Sequence, residues 1–329
     1  MFADASSTRG TRRPTVHVLG WVGTACGLVA SLAATTPVVA QPATNAILFI
    51  GDGVDDHQLT IGRNYLSGAS GEFVFDHFPY RASARVVTVK ESPPGEPEYV
   101  GDSASGGTAL ATGRVTSRGR IATSAGADRD LPTLVELAAA RGLRTGIVTT
   151  SSVTDATPAS FAAHVSFRYC QGPSDMDSSR RGLLPGCPGD KLSAGGPGSI
   201  VQQLVRSGVE VLWGGGMEHF EQSDELGRSI LGTARAEGFS VLTSANQLQT
   251  VSGRTLGLFA ADNLPVLWRG RGGLTAQPLR VEDGAVEEPP VFDCEPAPDF
   301  KGTPTLEQMT RAAIELGAST TNETTGISN

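Results

Sequence analysis

The chain has 329 residues, of which 39% are hydrophobic, and it contains 41 glycines and 20 prolines. This composition is typical of a loop-rich globular protein rather than a disordered chain, and the length allows one large α/β domain or two smaller ones. The formal net charge is −8, which argues against a nucleic-acid partner, because such a partner requires a basic face.

The first forty residues have the pattern of a targeting segment. Arg9, Arg12 and Arg13 precede an apolar run at 16–34, and small residues follow at 38–40. We therefore predict a signal peptide over residues 1–40, removed from a mature chain that is periplasmic or secreted and has no membrane segment. A membrane anchor is the alternative, and the pattern leaves Sec and twin-arginine export both open. Cleavage would remove three of 26 basic and one of 34 acidic residues, leaving 23 and 33.

An unbroken apolar run at 46–50 precedes the sequence G-D-G. This pattern predicts a buried strand that stops at a turn. Asp52 is then expected at the carboxyl end of a central strand, where open α/β sheets bind their ligands. Two interpretations of Asp52 remain: a turn aspartate, or a residue of a metal or phosphate site.

The segment 100–113 reads V-G-D-S-A-S-G-G-T-A-L-A-T-G. It predicts a helix of small residues that begins at Ser103, just after Asp102. The free N–H groups of a helix start attract anions, and small neighbours allow close approach. An N-capping serine on a tightly packed helix is the alternative. The segment is not the G-x-S-x-G turn of esterases, because Ser105 lies two residues after Ser103.

Three later segments, at 131–149, 200–213 and 229–242, each combine a helix, a glycine and a short apolar strand. Helices that alternate with short buried strands predict a largely parallel sheet covered on both faces. A last helix is predicted over 304–316 with Pro304 at its first position. The tail at 317–329 is polar and aperiodic.

The stretch from 149 to 168 runs from an apolar strand into a polar turn bearing Asp155 and Thr157. Pro158 is then predicted to start a helix that carries His164 and ends near Arg168. Asp, Thr and Pro are common at helix starts, so capping is one interpretation of the turn residues. Arg168 would then be a surface arginine.

Three cysteines remain after the predicted cleavage site: Cys170, Cys187 and Cys294. Export to an oxidising compartment favours a disulfide between Cys170 and Cys187, which lie close together in the chain. Cys294 is then unpaired, and an odd cysteine in a secreted chain calls for an explanation.

In this order and spacing the motifs closely resemble bacterial alkaline phosphatase, from about residue 45 to about residue 316. The motifs that carry the resemblance are I-L-F-I-G-D-G (47–53), D-S-A-S-G-G-T-A (102–109), D-A-T-P-A (155–159), an arginine eleven residues after Thr157, L-G-L-F-A-A-D-N-L-P-V-L-W (256–268) and P-T-L-E-Q-M-T-R-A-A-I-E-L (304–316).

The resemblance implies a three-layer α/β sandwich with a largely parallel sheet, formed by one catalytic domain over residues 41–329. It implies hydrolysis of small phosphate monoesters through a phosphoserine, with Zn²⁺ and Mg²⁺ as cofactors and inorganic phosphate as product, and a homodimer is possible. The implied roles are Ser103 as nucleophile, Arg168 as phosphate clamp, Asp102 as the group that orients Arg168, Asp52 as a bridge between zinc and magnesium, Thr157 as a magnesium ligand, and Asp155 as a magnesium ligand through water.

The chain also departs from the family pattern. Most of the family's metal ligands come after the point where this chain stops, and no histidine follows His219. The family partner of Cys294 would also lie beyond that point. We therefore expect an incomplete copy with a divergent tail. The alternatives are a catalytically inactive remnant that binds phosphate and a fragment that does not fold alone.

Overall fold

The computed structural model describes residues 45–179, 184–278, 280–287 and 289–319. The chain divides into two units, 1–50 and 51–329. The predicted signal peptide and residues 320–329 of the predicted tail lie outside the described residues. Among the described residues, no helix combines the length and the apolar character needed to cross a bilayer.

The first unit contributes only residues 45–50 to the description, and the predicted strand at 46–50 is wrong. These residues form no strand, and Phe49 is 72% exposed. An apolar run becomes a strand only where a neighbouring strand supplies hydrogen-bond partners, which the run itself cannot specify. Asp52 therefore follows a segment without regular secondary structure rather than a strand of the sheet.

The described residues form eight α-helices, and most of them are short. They are α1 (Asp56–Ser67), α2 (Ser103–Thr112), α3 (Leu134–Ala139), α4 (Ala156–Ala159), α5 (Ile200–Leu204), α6 (Met217–Phe220), α7 (Ile230–Ala236) and α8 (Leu306–Ser319).

The same residues form twelve strands. They are β1 (Thr88–Val89), β2 (Pro97–Glu98), β3 (Gly146–Ser152), β4 (Ser178–Ser179), β5 (Leu184–Pro185), β6 (Val211–Gly215), β7 (Ser240–Leu242), β8 (Thr255–Leu258), β9 (Trp268–Gly270), β10 (Arg280–Glu282), β11 (Ala285–Glu287) and β12 (Cys294–Pro296).

The central sheet is parallel and has the order β3-β6-β8-β7. Side chains along β6 alternate between two cores. Leu212 packs with residues of α2, α4, α5 and α7, whereas Val211 and Trp213 pack with Met309 and Leu316 of α8. Helices therefore cover both faces of the sheet, and each fully buried large side chain stabilises the fold by about 1.5–3 kcal/mol. The predicted α/β sandwich with a parallel sheet is confirmed.

The three predicted helix–strand units are present as α3–β3, α5–β6 and α7–β7. The predicted start and end of the last helix are wrong. Thr305 accepts a hydrogen bond from the Gln308 N–H, and the Gln308 side chain accepts one from the Thr305 N–H. This capping box starts α8 at Leu306, so Pro304 precedes the helix.

The long helix predicted after Pro158 is also wrong, because α4 ends at Ala159. The backbone N–H and C=O of His164 bind the Gln203 side chain, and Val165 exchanges backbone hydrogen bonds with Ile121. Neighbouring segments thus supply the partners that a longer helix would have supplied internally. The resulting turn brings Arg168 towards the start of α2.

The predicted disulfide between Cys170 and Cys187 is present in the structure, and Cys294 is free and exposed. A crosslink over 17 residues limits the conformations of the unfolded chain and so stabilises the fold by about 3 kcal/mol.

We expect the double variant C170A/C187A to lose about that much free energy of unfolding, measured by denaturant titration. Cys294→Ala is the control and should stay within about 0.5 kcal/mol of wild type. A double variant as stable as wild type would show that the crosslink does not stabilise the fold.

An ion pair holds the loop that follows α2. Arg120 is almost fully buried, and its Nε lies 2.8 Å from Glu91 Oε2, while Nη1 contacts Asp128. The hydrogen bond from Arg120 lowers the pKa of Glu91 to about 2, against the opposing effect of burial. A carboxyl whose pKa is lower in the folded chain stabilises it above the unfolded value of about 4.5, and this stabilisation is lost as the pH falls towards 2.

We expect Glu91→Gln to lower the free energy of unfolding at pH 7, because it removes the charge that pairs with Arg120. The loss should be about 1–2 kcal/mol, since the Glu91 side chain is 52% exposed and solvent screens its charge. The difference from wild type should shrink as the pH is lowered from 5 to about 2.5. Glu96→Gln breaks the exposed pair with Lys90 and should change little. Equal losses in both variants, or a loss independent of pH, would contradict this account.

Candidate active site

The candidate site begins where α2 starts. The Asp102 carboxylate accepts a hydrogen bond from the Ser105 N–H at 3.0 Å, and the Ser105 hydroxyl accepts one from the Asp102 N–H. This capping box makes Ser103 the first residue of the helix. Its side chain is half-buried, and it stands at the positive end of the helix dipole.

Arg168 lies beside Ser103 and between two carboxylates. Its Nη1 is 3.3 Å from both Ser103 Oγ and Asp102 Oδ2, and its Nη2 is 2.8 Å from Asp155 Oδ1. The arginine side chain is only 15% exposed. Two carboxylates therefore fix the guanidinium next to the serine hydroxyl, a geometry that suits a fork of donors for a tetrahedral anion.

The charges of this cluster reinforce each other. Burial alone would raise the pKa of Asp102, but the N–H groups of Ser105 and Gly119 and the charge of Arg168 outweigh it, and the pKa is lowered. Burial likewise opposes the charge of Arg168, but Asp155 and Asp102 outweigh it and raise the arginine pKa. Asp102 and Arg168 are therefore both charged at neutral pH.

Asp52 and Thr157 meet beside this cluster. The Thr157 hydroxyl donates a hydrogen bond to Asp52 Oδ2 at 2.9 Å, and Asp52 is exposed to solvent. Thr157 lies in α4, and the N-cap of that helix is Asp155. The polar turn after β3 thus connects the arginine cluster to the carboxylate of Asp52.

The donors at this site suit some metal ions and not others. A carboxylate and a hydroxyl oxygen in contact, with open solvent on one side, fit magnesium, which keeps several waters and takes one or two carboxylates. A zinc site takes three or four protein ligands. Among the described residues, no three or more His, Cys, Asp and Glu side chains form a group that could hold a metal ion. The described residues therefore do not by themselves provide the ligand set of a zinc site.

The structure brings together the six site residues expected from the sequence, in spite of the wrong strand and helix around them. Two contacts were not foreseen. Asp155 binds Arg168 directly, and the Gly119 N–H donates to both oxygens of Asp102. A carboxylate thirteen residues before an arginine gives no recognisable pattern, whereas the sequence S-R-G-R at 117–120 does indicate a turn.

The fold and the site define an α/β protein whose candidate site lies at the carboxyl end of a parallel sheet, just after β3. The chain belongs to the alkaline phosphatase family, whose family model matches residues 43–323. It is 43% identical to a streptomycin-6-phosphate phosphatase of Streptomyces griseus over 285 residues, which are 84% of this chain and 58% of that protein. It is 38% identical to an alkaline phosphatase of Escherichia coli over 287 residues, which are 84% of this chain and 57% of that protein.

The chain thus spans a little over half the length of these relatives. Among solved structures it is similar to a cold-active alkaline phosphatase from a psychrophilic Shewanella, with a TM-score of 0.49 and 28% identity, covering 66% of this chain and 46% of that one.

Proposed function

We propose that this chain carries the phosphoryl-binding and nucleophilic part of a phosphate monoester hydrolase, with Ser103 as nucleophile and Arg168 as clamp. One observation supports the proposal above all others. The Arg168 guanidinium, held by Asp102 and Asp155, lies 3.3 Å from the Ser103 hydroxyl at the start of a helix. A nucleophile at a helix N-terminus and a positive fork thus lie within hydrogen-bonding distance of each other, which is the arrangement that phosphoryl transfer requires.

In the proposed reaction the Ser103 oxygen bonds to phosphorus while the bond between phosphorus and the ester oxygen breaks. The serine hydroxyl loses its proton in this step, and the leaving alkoxide takes up a proton to become an alcohol, so no net proton is gained or lost. Water then cleaves the phosphoserine, which releases inorganic phosphate and restores the hydroxyl. Arg168 holds two phosphoryl oxygens, and Asp102 and Asp155 keep its fork in place throughout.

The carboxylate of Asp52 and the hydroxyl of Thr157, which are 2.9 Å apart, are proposed to hold magnesium, and Asp155 would bind it through a water molecule. Magnesium bound there would supply positive charge near the phosphoryl group.

Small phosphate monoesters are the proposed substrates and inorganic phosphate the proposed product. The name of the Streptomyces relative states that it acts on streptomycin-6-phosphate, so that ester belongs among the substrates to test. Export to the periplasm or medium and a homodimer remain proposals that follow from the predicted N-terminal segment and the family resemblance.

The proposal is tested with a chromogenic phosphate monoester and its diester at alkaline pH, in parallel with calorimetric titration of inorganic phosphate. We expect phosphate to bind once per chain, and the monoester, not the diester, to be hydrolysed when metal ions are supplied. Phosphate binding that survives chelation, without hydrolysis under any metal condition, would instead identify a phosphate-binding remnant. Absence of both binding and hydrolysis would contradict the proposal.

Magnesium should stabilise the folded chain, because an ion that binds only the native state raises its melting temperature. Asp52→Asn removes a carboxylate charge from the proposed pair, so we expect most of the magnesium-dependent rise in melting temperature to disappear. Asp56→Asn changes a nearby exposed aspartate of α1 and should keep that rise. An equal response to magnesium in both variants would remove Asp52 from the site.

A further inference from the structure

Gly119 contacts both Asp102 and Arg168, the residues of the proposed phosphate clamp and its orienting carboxylate. Its N–H donates to the two carboxylate oxygens of Asp102 at 3.2 and 3.1 Å. Its carbonyl accepts a hydrogen bond from the Arg168 N–H at 2.6 Å. A single residue of the loop after α2 therefore holds the N-cap of that helix on one side and the arginine backbone on the other.

The backbone and surroundings of Gly119 leave no room for a side chain. Its φ is +82°, a conformation that residues with a Cβ atom rarely adopt. A Cβ atom at this position would lie 2.9 Å from Cδ2 and 3.1 Å from Cε2 of Phe167. Any larger residue must therefore move either the loop or the aromatic ring.

The aromatic ring that closes this space is connected to the clamp through Tyr169. Phe167 packs edge-to-face on Tyr169 with ring centroids 5.3 Å apart, and the Arg168 guanidinium lies 5.5 Å from the centre of the Tyr169 ring. A displacement of Phe167 would shift Tyr169, which it contacts, and Arg168, which lies between the two in the chain. A side chain at position 119 would therefore displace the Arg168 fork by pushing on Phe167.

We infer that Gly119 is a positioning residue of the phosphate site, which sets the distance between the Asp102 carboxylate and the Arg168 fork. This inference rests on the proposed function, because it requires Arg168 to bind phosphate. It predicts that any side chain at position 119 weakens phosphate binding. The cause is the clash with Phe167, which acts in addition to backbone strain.

The test compares Gly119→Ala with Gly113→Ala. Gly113 ends α2 with a φ of +68° and has nothing within 4 Å of a built Cβ, so alanine there adds a similar backbone strain without a clash. Calorimetric titration with inorganic phosphate should show at least about tenfold weaker binding for Gly119→Ala and a change below about twofold for Gly113→Ala. Melting temperatures of both variants show how much strain each has added.

A second comparison separates the clash from a general loss of structure. The double variant G119A/F167A removes the ring that alanine would meet, and it should bind phosphate to within about threefold of F167A alone. Wild-type affinity in Gly119→Ala, or no recovery in the double variant, would overturn the inference. Arg168→Ala serves as the reference: if it keeps wild-type affinity the proposed function fails, and if it alone loses affinity only the role of Gly119 fails.

Discussion

Replacing Ser103 by alanine is expected to abolish the covalent phosphoenzyme and to reduce monoester hydrolysis by roughly 10³-fold or more, because no other group takes the place of a lost nucleophile. The helix itself should persist. Its N-cap is Asp102, not Ser103, and alanine is the best helix former. Binding of inorganic phosphate should change by less than about threefold, because Arg168 and the helix start remain. Hydrolysis rates and calorimetry on the same preparation measure the two effects.

Ser229→Ala provides the control for this variant. Ser229 caps α7 through a hydrogen bond from the Gly232 N–H, so its loss should cost about 1 kcal/mol of stability and leave hydrolysis unchanged. If Ser103→Ala hydrolysed the monoester at the wild-type rate, Ser103 would not be the nucleophile. If it lost phosphate binding and turnover together, the residue would have a role in binding that the present geometry does not assign.

Replacing Arg168 by alanine is expected to weaken phosphate binding by about 10²-fold or more. Two charge-assisted hydrogen bonds are lost, each of them stronger than a neutral one, and every 1.4 kcal/mol corresponds to a factor of ten in affinity. The carboxylates of Asp102 and Asp155, which now neutralise the arginine, would then face the anion unpaired and repel it. Calorimetric titration of inorganic phosphate at several ionic strengths measures both effects.

Arg168→Lys is the matched variant. Lysine keeps the positive charge but lacks the planar fork, so we expect an intermediate loss of about tenfold. Circular dichroism of both variants monitors the fold, since Arg168 is also part of an ion-pair network. A lysine variant as weak as the alanine variant would show that geometry alone matters, and an alanine variant with wild-type affinity would remove Arg168 from the site.

The sequence predicts the sheet well, because each of its helix–strand units carries its own local signals. Gly142 at φ +71° and Gly238 at φ +89° end helices before β3 and β7, and these are the positions where glycine is needed. The errors fall where the partner is distant in sequence. Residues 46–50 have the composition of a strand but form none, and the segment after Ala159 pairs with Ile121 and Gln203 instead of continuing its helix.

The same distinction applies to the candidate site. The chemical types of Ser103, Asp102 and Arg168 are visible in the motifs, and family resemblance alone indicated that they converge. Their fine positioning depends on contacts between distant segments. Examples are the Arg168 fork on Asp155 and the Gly119 peptide, which bonds Asp102 across seventeen residues. Such contacts depend on the packed fold and leave no local pattern.

Identification of the phosphorylated residue tests the central claim most directly. The chain is supplied with metal ions and a phosphate monoester labelled in its phosphoryl group, quenched in acid and digested, and the labelled peptide is sequenced by mass spectrometry. We predict that the label is on Ser103, that it is absent from Ser103→Ala and that it is strongly reduced in Arg168→Ala. A label on any other residue, or a label that persists in Ser103→Ala, would contradict the assignment of this site.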